Sequence, residues 1–173
     1  MTEHVVHPFP PLYDSSSEIL ILGSFPSVKS REGQFFYNHP QNRFWKVLAA
    51  LENTPVPVTI PEKKQWILSH QFALWDVIQE CDIEGSSDAS VRNAVPTDLS
   101  VILRNAPIRR ILVNGKTADR LFQHYQRQKT SLPEFGCPST SPANAAWHLP
   151  DLIRAWGEAM RRPLPAEAGG EKR

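Results

Sequence analysis

The sequence predicts an α/β protein: a three-layer α/β/α sandwich with a central four-stranded, mostly parallel sheet. Three observations carry the prediction. Short apolar runs recur along the chain, as EILILGSF at 18–25, FALWDVI at 72–78 and RRILVNG at 109–115. Segments with apolar residues at helical spacing lie between them. Each run also stops on glycine, proline, aspartate or asparagine, as buried parallel strands joined by helices do.

Residues 1–17 are rich in proline and serine, show no periodicity and read as an irregular lead-in. The first strand follows at 18–25, closed by Gly23 and Pro26. A helix is expected over 42–52, with Phe44, Val47, Leu48 and Leu51 on one face and Asn42 as its N-cap. The proline-rich 54–61 is a loop, and 62–70 is a short helix led by Pro61. The second strand is 72–78. Residues 81–96 read as a long polar loop, a length that is often functional. A helix capped by Thr97 is expected over 97–105, with Asp98 in its first turn. The third strand, 109–115, leads into a helix over 116–128. A weaker fourth strand spans 134–141. The closing helix is expected over 144–162, with Trp147, Leu152, Ile153 and Trp156 inward. One domain is expected over 1–162, and 163–173 has the composition of a disordered tail.

With 173 residues, 40% hydrophobic and 21% charged, the composition is that of a soluble globular protein. No apolar run reaches the roughly 20 residues of a membrane span, and the N-terminus lacks the pattern of a secretory signal. Cys81 and Cys137 suit reduced thiols in the cytoplasm and are too few for a four-cysteine metal or iron–sulfur site. No metal or cofactor is expected. The net charge of +1 leaves any nucleic-acid contact to local clusters. The candidates are Lys29, Arg31, Arg43 and Lys46, then Arg104, Arg109, Arg110 and Lys116; solvated surface charge is the plainer reading of each.

In open parallel sheets, ligands sit beyond the carboxyl ends of the strands. The polar punctuation falls there: GSFPS, Asp76, Asn114-Gly115-Lys116 and STSPAN. No GxGxxG, Walker A, HExxH or GxSxG motif is present. His70, His124 and His148 stand alone and read as surface or packing residues. The remaining set is aromatics, amides, small hydroxyls and one carboxylate. Aromatics stack on bases, amides read base edges, and hydroxyls donate to phosphates. The stretch FFYNHPQNRFW at 35–45 is densest in these side chains. It reads as core at Phe35, Phe44 and Trp45 and as a pocket wall at Tyr37.

GSFPS, HPQNRFW, WDVI, NGKTA and STSPAN, in this order at strand ends, resemble the uracil-DNA glycosylase superfamily. The pattern is most similar to its hypoxanthine-DNA glycosylase family, family 6, from about Ile19 to Trp156. The superfamily's first motif is G-x-[DN]-P, whose acidic or amide residue activates water. Here it reads Gly23-Ser24-Phe25-Pro26, so an apolar ring fills the catalytic slot. The histidine of the second motif is absent from Ser139-Thr140-Ser141-Pro142. The HPxNxFW pattern matches at Asn42.

The resemblance implies a monofunctional glycosylase that acts in base-excision repair on flipped-out deaminated purines, hypoxanthine first. Asn42 would orient the attacking water; the plain alternative is an N-cap. Asp76, acceptor-only when ionised, would take hypoxanthine N1–H and reject adenine; a cap after the strand is the alternative. Asn114 would donate to O6, or else serve as a turn residue. Phe25, Phe36 and Tyr37 would stack on the base. Ser24, Ser27, Ser139, Thr140 and Ser141 would bind phosphates, and the loop 143–146 would fill the vacated duplex. No lysine falls where a Schiff base would form. The expected partner is double-stranded DNA, bound by a monomer without membrane attachment, in the cytoplasm or at a bacterial nucleoid. The alternatives are a mismatch-type uracil or xanthine glycosylase, a non-catalytic damaged-DNA binding module and a hydrolase of free nucleosides.

Overall fold

The structure, a computed structural model, describes residues 1–164. The central sheet has four strands, β2 (Ile19–Gly23), β3 (Phe72–Asp76), β6 (Arg110–Asn114) and β7 (Glu134–Cys137), in the order β3-β2-β6-β7. All three pairings are parallel. The apolar runs form them because Leu20, Ile21, Leu22, Ala73, Leu74, Ile111, Leu112 and Val113 are all fully buried. Helices flank the sheet: α1 (Val28–Gly33), α2 (Phe44–Glu52), α3 (Ile60–Ser69), α4 (Ser100–Leu103), α5 (Lys116–Tyr125) and α6 (Leu149–Arg161). The predicted α/β architecture is therefore the one observed.

The chain runs from β2 to β3 on one side, then crosses back to β6 on the other. The strand order thus switches between β2 and β6, the place where such sheets form a ligand crevice. Register aligns what borders it. Gly23 pairs with Asp76, Leu22 with Val113 and Asn114 with Cys137. Gly23, Asp76, Asn114 and Cys137 accordingly share one row at the carboxyl edge.

Several boundaries differ from expectation. The lead-in 1–17 contains β1 (Thr2–Val6), and the expected loop 81–96 is largely β4 (Ile78–Glu84) and β5 (Arg92–Pro96). These three strands form a second, antiparallel sheet, ordered β1-β4-β5. Its strands are half-exposed and polar, so no apolar run announces them. Thr97 caps no helix. It is buried, and its hydroxyl donates to the Asp76 carbonyl at 2.8 Å, while α4 starts only at Ser100. The last helix starts at Leu149, because residues 144–147 form a turn closed by Trp147 N–H on the Asn144 carbonyl. Trp147 is consequently exposed, whereas Leu152 and Trp156 are fully buried as expected. Leu164, at a position expected to lie in the tail, is buried; residues 165–173 of the expected tail lie outside the described ones.

At the start of β7, away from this row, Glu134 sits beside Asp119, with Gln123 Nε2 bridging Glu134 Oε1 at 3.0 Å and Asp119 Oδ1 at 3.1 Å. Burial, then the Asp119 carboxylate, pushes the Glu134 carboxyl up to about 7. A carboxyl raised in the folded state favours folding at low pH, and that contribution is lost as pH rises through its folded value. Thermal melts should therefore show wild type losing stability between about pH 5 and 8 relative to Glu134→Gln. A constant difference between the two proteins across that range would exclude a raised Glu134 carboxyl.

Candidate active site

Gly23, Ser24, Phe25, Phe36, Tyr37, Asn42, Asp76, Asp88, Asn114 and the 139–141 segment line one cavity of about 150 Å³ at this switch point. That volume holds about five waters at liquid density, the scale of one heterocyclic base. A larger cavity of about 560 Å³ adjoins it. The two share Asp88, Asn114, Ser139 and Ser141, and Lys116 and Trp147 stand on the wall of the second.

Asp76 ends β3 and is 4% exposed. A buried carboxylate must be paired. Its partner is His7, whose Nε2 lies 2.7 Å from Asp76 Oδ2. His7 follows β1 and is itself buried, with its Nδ1 unpartnered among the described residues. Phe9 and Phe25 pack edge-on against the imidazole at centroid distances of 4.6 and 6.0 Å. Gly23 is required beside this pair. A Cβ there would lie 2.6 Å from Asp76 Oδ1 and 3.1 Å from the Tyr37 hydroxyl oxygen.

Tyr37 stacks one face on Phe44, with centroids 3.9 Å apart and planes at 20°. Its backbone adopts φ = 52°, uncommon for a bulky residue and costing of order 1 kcal/mol. Trp45 Nε1 donates to the Tyr37 carbonyl at 3.3 Å, helping to hold it there. Burial, reinforced by the Asp76 carboxylate, pushes the Tyr37 hydroxyl far above its ordinary range, so it stays protonated.

Asn42 is not the N-cap of α2, which is Arg43, but it stands one residue earlier, satisfies the first helical N–H with its side chain and faces the cavity. Its Oδ1 accepts from Phe44 N–H at 2.9 Å and from the Thr140 hydroxyl at 2.8 Å. Two donors on the oxygen fix the amide orientation and point its N–H₂ elsewhere. Thr140 in turn accepts from Asn114 Nδ2 at 3.0 Å and donates its backbone N–H to Asn114 Oδ1 at 3.1 Å. Asn42, Thr140 and Asn114 thus form one latch joining α2, β6 and the segment after β7. Arg43 closes it from outside: its guanidinium donates to the carbonyls of Thr140, Ser141, Asn144 and Trp147.

The structure sorts the expected phosphate ligands. Thr140 is fully buried with its hydroxyl committed, so it has no free donor for DNA. Ser27 caps α1 by accepting from Ser30 N–H. Ser24 donates to Asp88 Oδ1 at 2.9 Å. The Ser139 and Ser141 hydroxyls accept from the backbone N–H groups of Ser141 and Ala143, which leaves each O–H available. Three of the expected basic ligands are structural. Arg43 holds the latch, Arg31 donates to the Pro26 and Gly85 carbonyls, and Arg110 binds the carbonyls of Ala159 and Arg162 at the end of α6. Lys46 and Lys116 remain exposed.

His7 and Asp88 were not anticipated. His7 sits in a lead-in whose prolines conceal a strand. Asp88 lies in the connection between β4 and β5, in the stretch whose length suggested function. Burial, and next the Asp76 charge, raise the Asp88 carboxyl above its usual range.

The fold, the crevice and its occupants are those of a base-excising enzyme. This chain belongs to the Uracil DNA glycosylase superfamily, whose model matches residues 10–160, and it is a DNA glycosylase. Its relatives place it with the hypoxanthine-DNA glycosylase family of that superfamily. It is 36% identical over 112 residues to "Hypoxanthine DNA glycosylase" of Methanosarcina acetivorans, covering 64% of this chain and 71% of that protein. The protein of the same description from Methanosarcina barkeri is 31% identical over 110 residues, 62% of this chain and 70% of its own. A solution NMR structure from M. acetivorans, provisionally described as a uracil DNA glycosylase, superposes with a TM-score of 0.78 at 27% identity, covering 93% of this chain and 98% of that one. The binding-module and free-nucleoside alternatives give way to a DNA glycosylase, with DNA as its substrate. Among the described residues, no helix is long and apolar enough to cross a membrane, and no group of three or more histidine, cysteine or acidic side chains could hold a metal ion.

Two substitutions test the site's construction. Thr140→Val should lower the unfolding free energy by about 1–3 kcal/mol, because it strands polar partners in the latch; denaturant titration measures this. Gly23→Ala should abolish base release while leaving the far-UV spectrum native, because the new methyl displaces Asp76. Retained activity would show that Asp76 can move without consequence.

Proposed function

We propose that this glycosylase releases hypoxanthine from deoxyinosine in double-stranded DNA by monofunctional hydrolysis, acting as a monomer and leaving an abasic site. The observation that carries the reading is the buried Asp76 carboxylate on the cavity wall. The names of the two curated relatives support it.

The base enters the cavity by leaving the duplex stack. Tyr37, backed by Phe44, and the rings of Phe25 and Phe36 supply its apolar walls. Asp76 Oδ1, opposite the oxygen paired to His7, accepts N1–H. Adenine presents a lone pair at N1, which an acceptor-only carboxylate repels. Asn114 has one amide hydrogen on Thr140, and its second donates to O6.

The bond from C1′ breaks with an oxocarbenium-like sugar, so positioning and electrostatics contribute more than a strong base would. Because the Asn42 oxygen is filled by two donors, the amide holds the attacking water through Nδ2–H, as a donor to the water oxygen. Asp88 lines the same cavity, and its raised pKa makes it a stronger proton acceptor than an ordinary aspartate. The O–H groups of Ser139 and Ser141 and the Lys116 ammonium contact flanking phosphates, while Thr140, Ser27 and Ser24 are kept for internal structure. The turn at 143–146 fills the vacated duplex.

A second reading retains one argument: uracil and xanthine also carry an N–H flanked by carbonyls, which Asp76 would accept equally well. Single-turnover base release from duplexes carrying deoxyinosine, uracil, xanthine or a G·T mismatch decides between them. Deoxyinosine should be fastest, and equal or faster release of uracil would overturn the assignment. Asn42→Ala should slow release from deoxyinosine by about 10²-fold or more, the cost of a misplaced reactant. Unchanged activity would remove Asn42 from the chemistry. Binding should also weaken steeply with salt.

A further inference from the structure

We infer that His7 is a specificity-determining positioning residue: its Nε2–H holds Asp76 as an oriented, acceptor-only carboxylate, and so selects bases that present a ring N–H. The inference rests on the reading of Asp76 as the contact to the base edge. His7 precedes residues 10–160, which the superfamily model matches.

The geometry supports it in three ways. The 2.7 Å contact from His7 Nε2 to Asp76 Oδ2 uses one carboxylate oxygen and leaves Oδ1, the oxygen against Gly23, without a hydrogen bond among the described residues. The imidazole is locked in place by Phe9, Phe25 and Phe36, at centroid distances of 4.6, 6.0 and 6.2 Å. Finally, Nδ1 is buried with no partner. A carboxylate at Nε2 calls for the hydrogen there, and Nδ1 then presents only a lone pair among the rings. An orphan buried N–H on that atom would cost more. The tautomer, and with it the donor aimed at Asp76, is therefore set by the carboxylate on one side of the ring and the apolar cage on the other.

A carboxyl deprived of that donor is free to rotate, so no acceptor oxygen is held against the base edge and a ring N–H loses its advantage over a lone pair. The other ionisable or charged groups around the pair are the Tyr37 hydroxyl, the Asp88 carboxyl and the Arg31 guanidinium, which lies over Phe25 at 5.9 Å.

The test compares single-turnover release from duplexes carrying deoxyinosine and from duplexes carrying deoxynebularine, whose unsubstituted purine offers a lone pair at N1 and no oxygen at C6. In His7→Leu the deoxyinosine-to-deoxynebularine rate ratio should fall at least about tenfold, the scale of one charge-assisted hydrogen bond. In His7→Gln, whose side-chain amide can donate to Asp76, most of the ratio should return. Equal loss on both substrates, with the ratio intact, would assign His7 a purely structural role and overturn the inference. So would a ratio in His7→Gln as low as in His7→Leu when both proteins melt cooperatively. The underlying reading fails separately: an unchanged ratio in Asp76→Asn would remove Asp76 from base recognition, and no release from deoxyinosine by wild type would remove the substrate assignment.

Discussion

A carboxylate at the end of a central parallel strand is the constraint around which this molecule is arranged. Asp76 lies at the carboxyl end of β3, in register with Gly23 and thus inside the crevice. An unpaired charge there would cost several kcal/mol. The fold meets that cost from outside the central sheet. The chain before β2 forms an edge strand, β1, on the second sheet and then delivers His7 to the carboxylate. The second sheet has a structural reason to exist, since β4 continues almost directly from β3 and carries β1 beside it. His7 N–H also donates to the Gln79 carbonyl at 2.7 Å, fixing the backbone that presents the ring.

The other wall is held by hydrogen bonding between neutral groups. Asn42, Thr140 and Asn114 come from three distant parts of the chain and share one network in which every bond constrains the next. Such networks gain rigidity only when fully satisfied. Arg43 supplies the remaining satisfaction by occupying carbonyls of the turn that follows β7. An amide that must aim a water within a fraction of an ångström benefits from this more than a flexible carboxylate would.

The central sheet was legible in the sequence because its strands are buried on both faces and therefore appear as continuous apolar runs. The second sheet was not. Its edge strands TEHVV and RNAVP mix polar with apolar residues and are exposed at most positions, and their pairing is decided by β4 lying between them. Among site residues, Asp76 and Asn114 could be placed because they end strands, and Asn42 because it precedes a helix. His7 could not, since nothing local distinguishes a histidine bound to a carboxylate 69 residues away from one on the surface. Thr140 was assigned to phosphate because a hydroxyl in a proline-flanked loop suggests exposure, whereas two asparagines compete for it and win. Trp147 was placed inward by helical spacing that begins two residues before the helix does.

Phe25 connects these threads. In the superfamily's first motif this position carries a group that activates water; here the ring turns its edge to His7 and lines the same cavity. An apolar side chain in that slot keeps water from the imidazole–carboxylate pair, and a hydrogen bond to a charge is stronger where the local dielectric is low. The departure therefore has a physical consequence beyond the loss of a catalytic group. On the proposed reading it hands the water to Asn42 on the opposite wall and shields the one oriented carboxylate that would read the base edge. The proposed recognition and hydrolysis then fall on two walls of one small cavity, with Gly23 between them as the residue whose missing side chain leaves room for both.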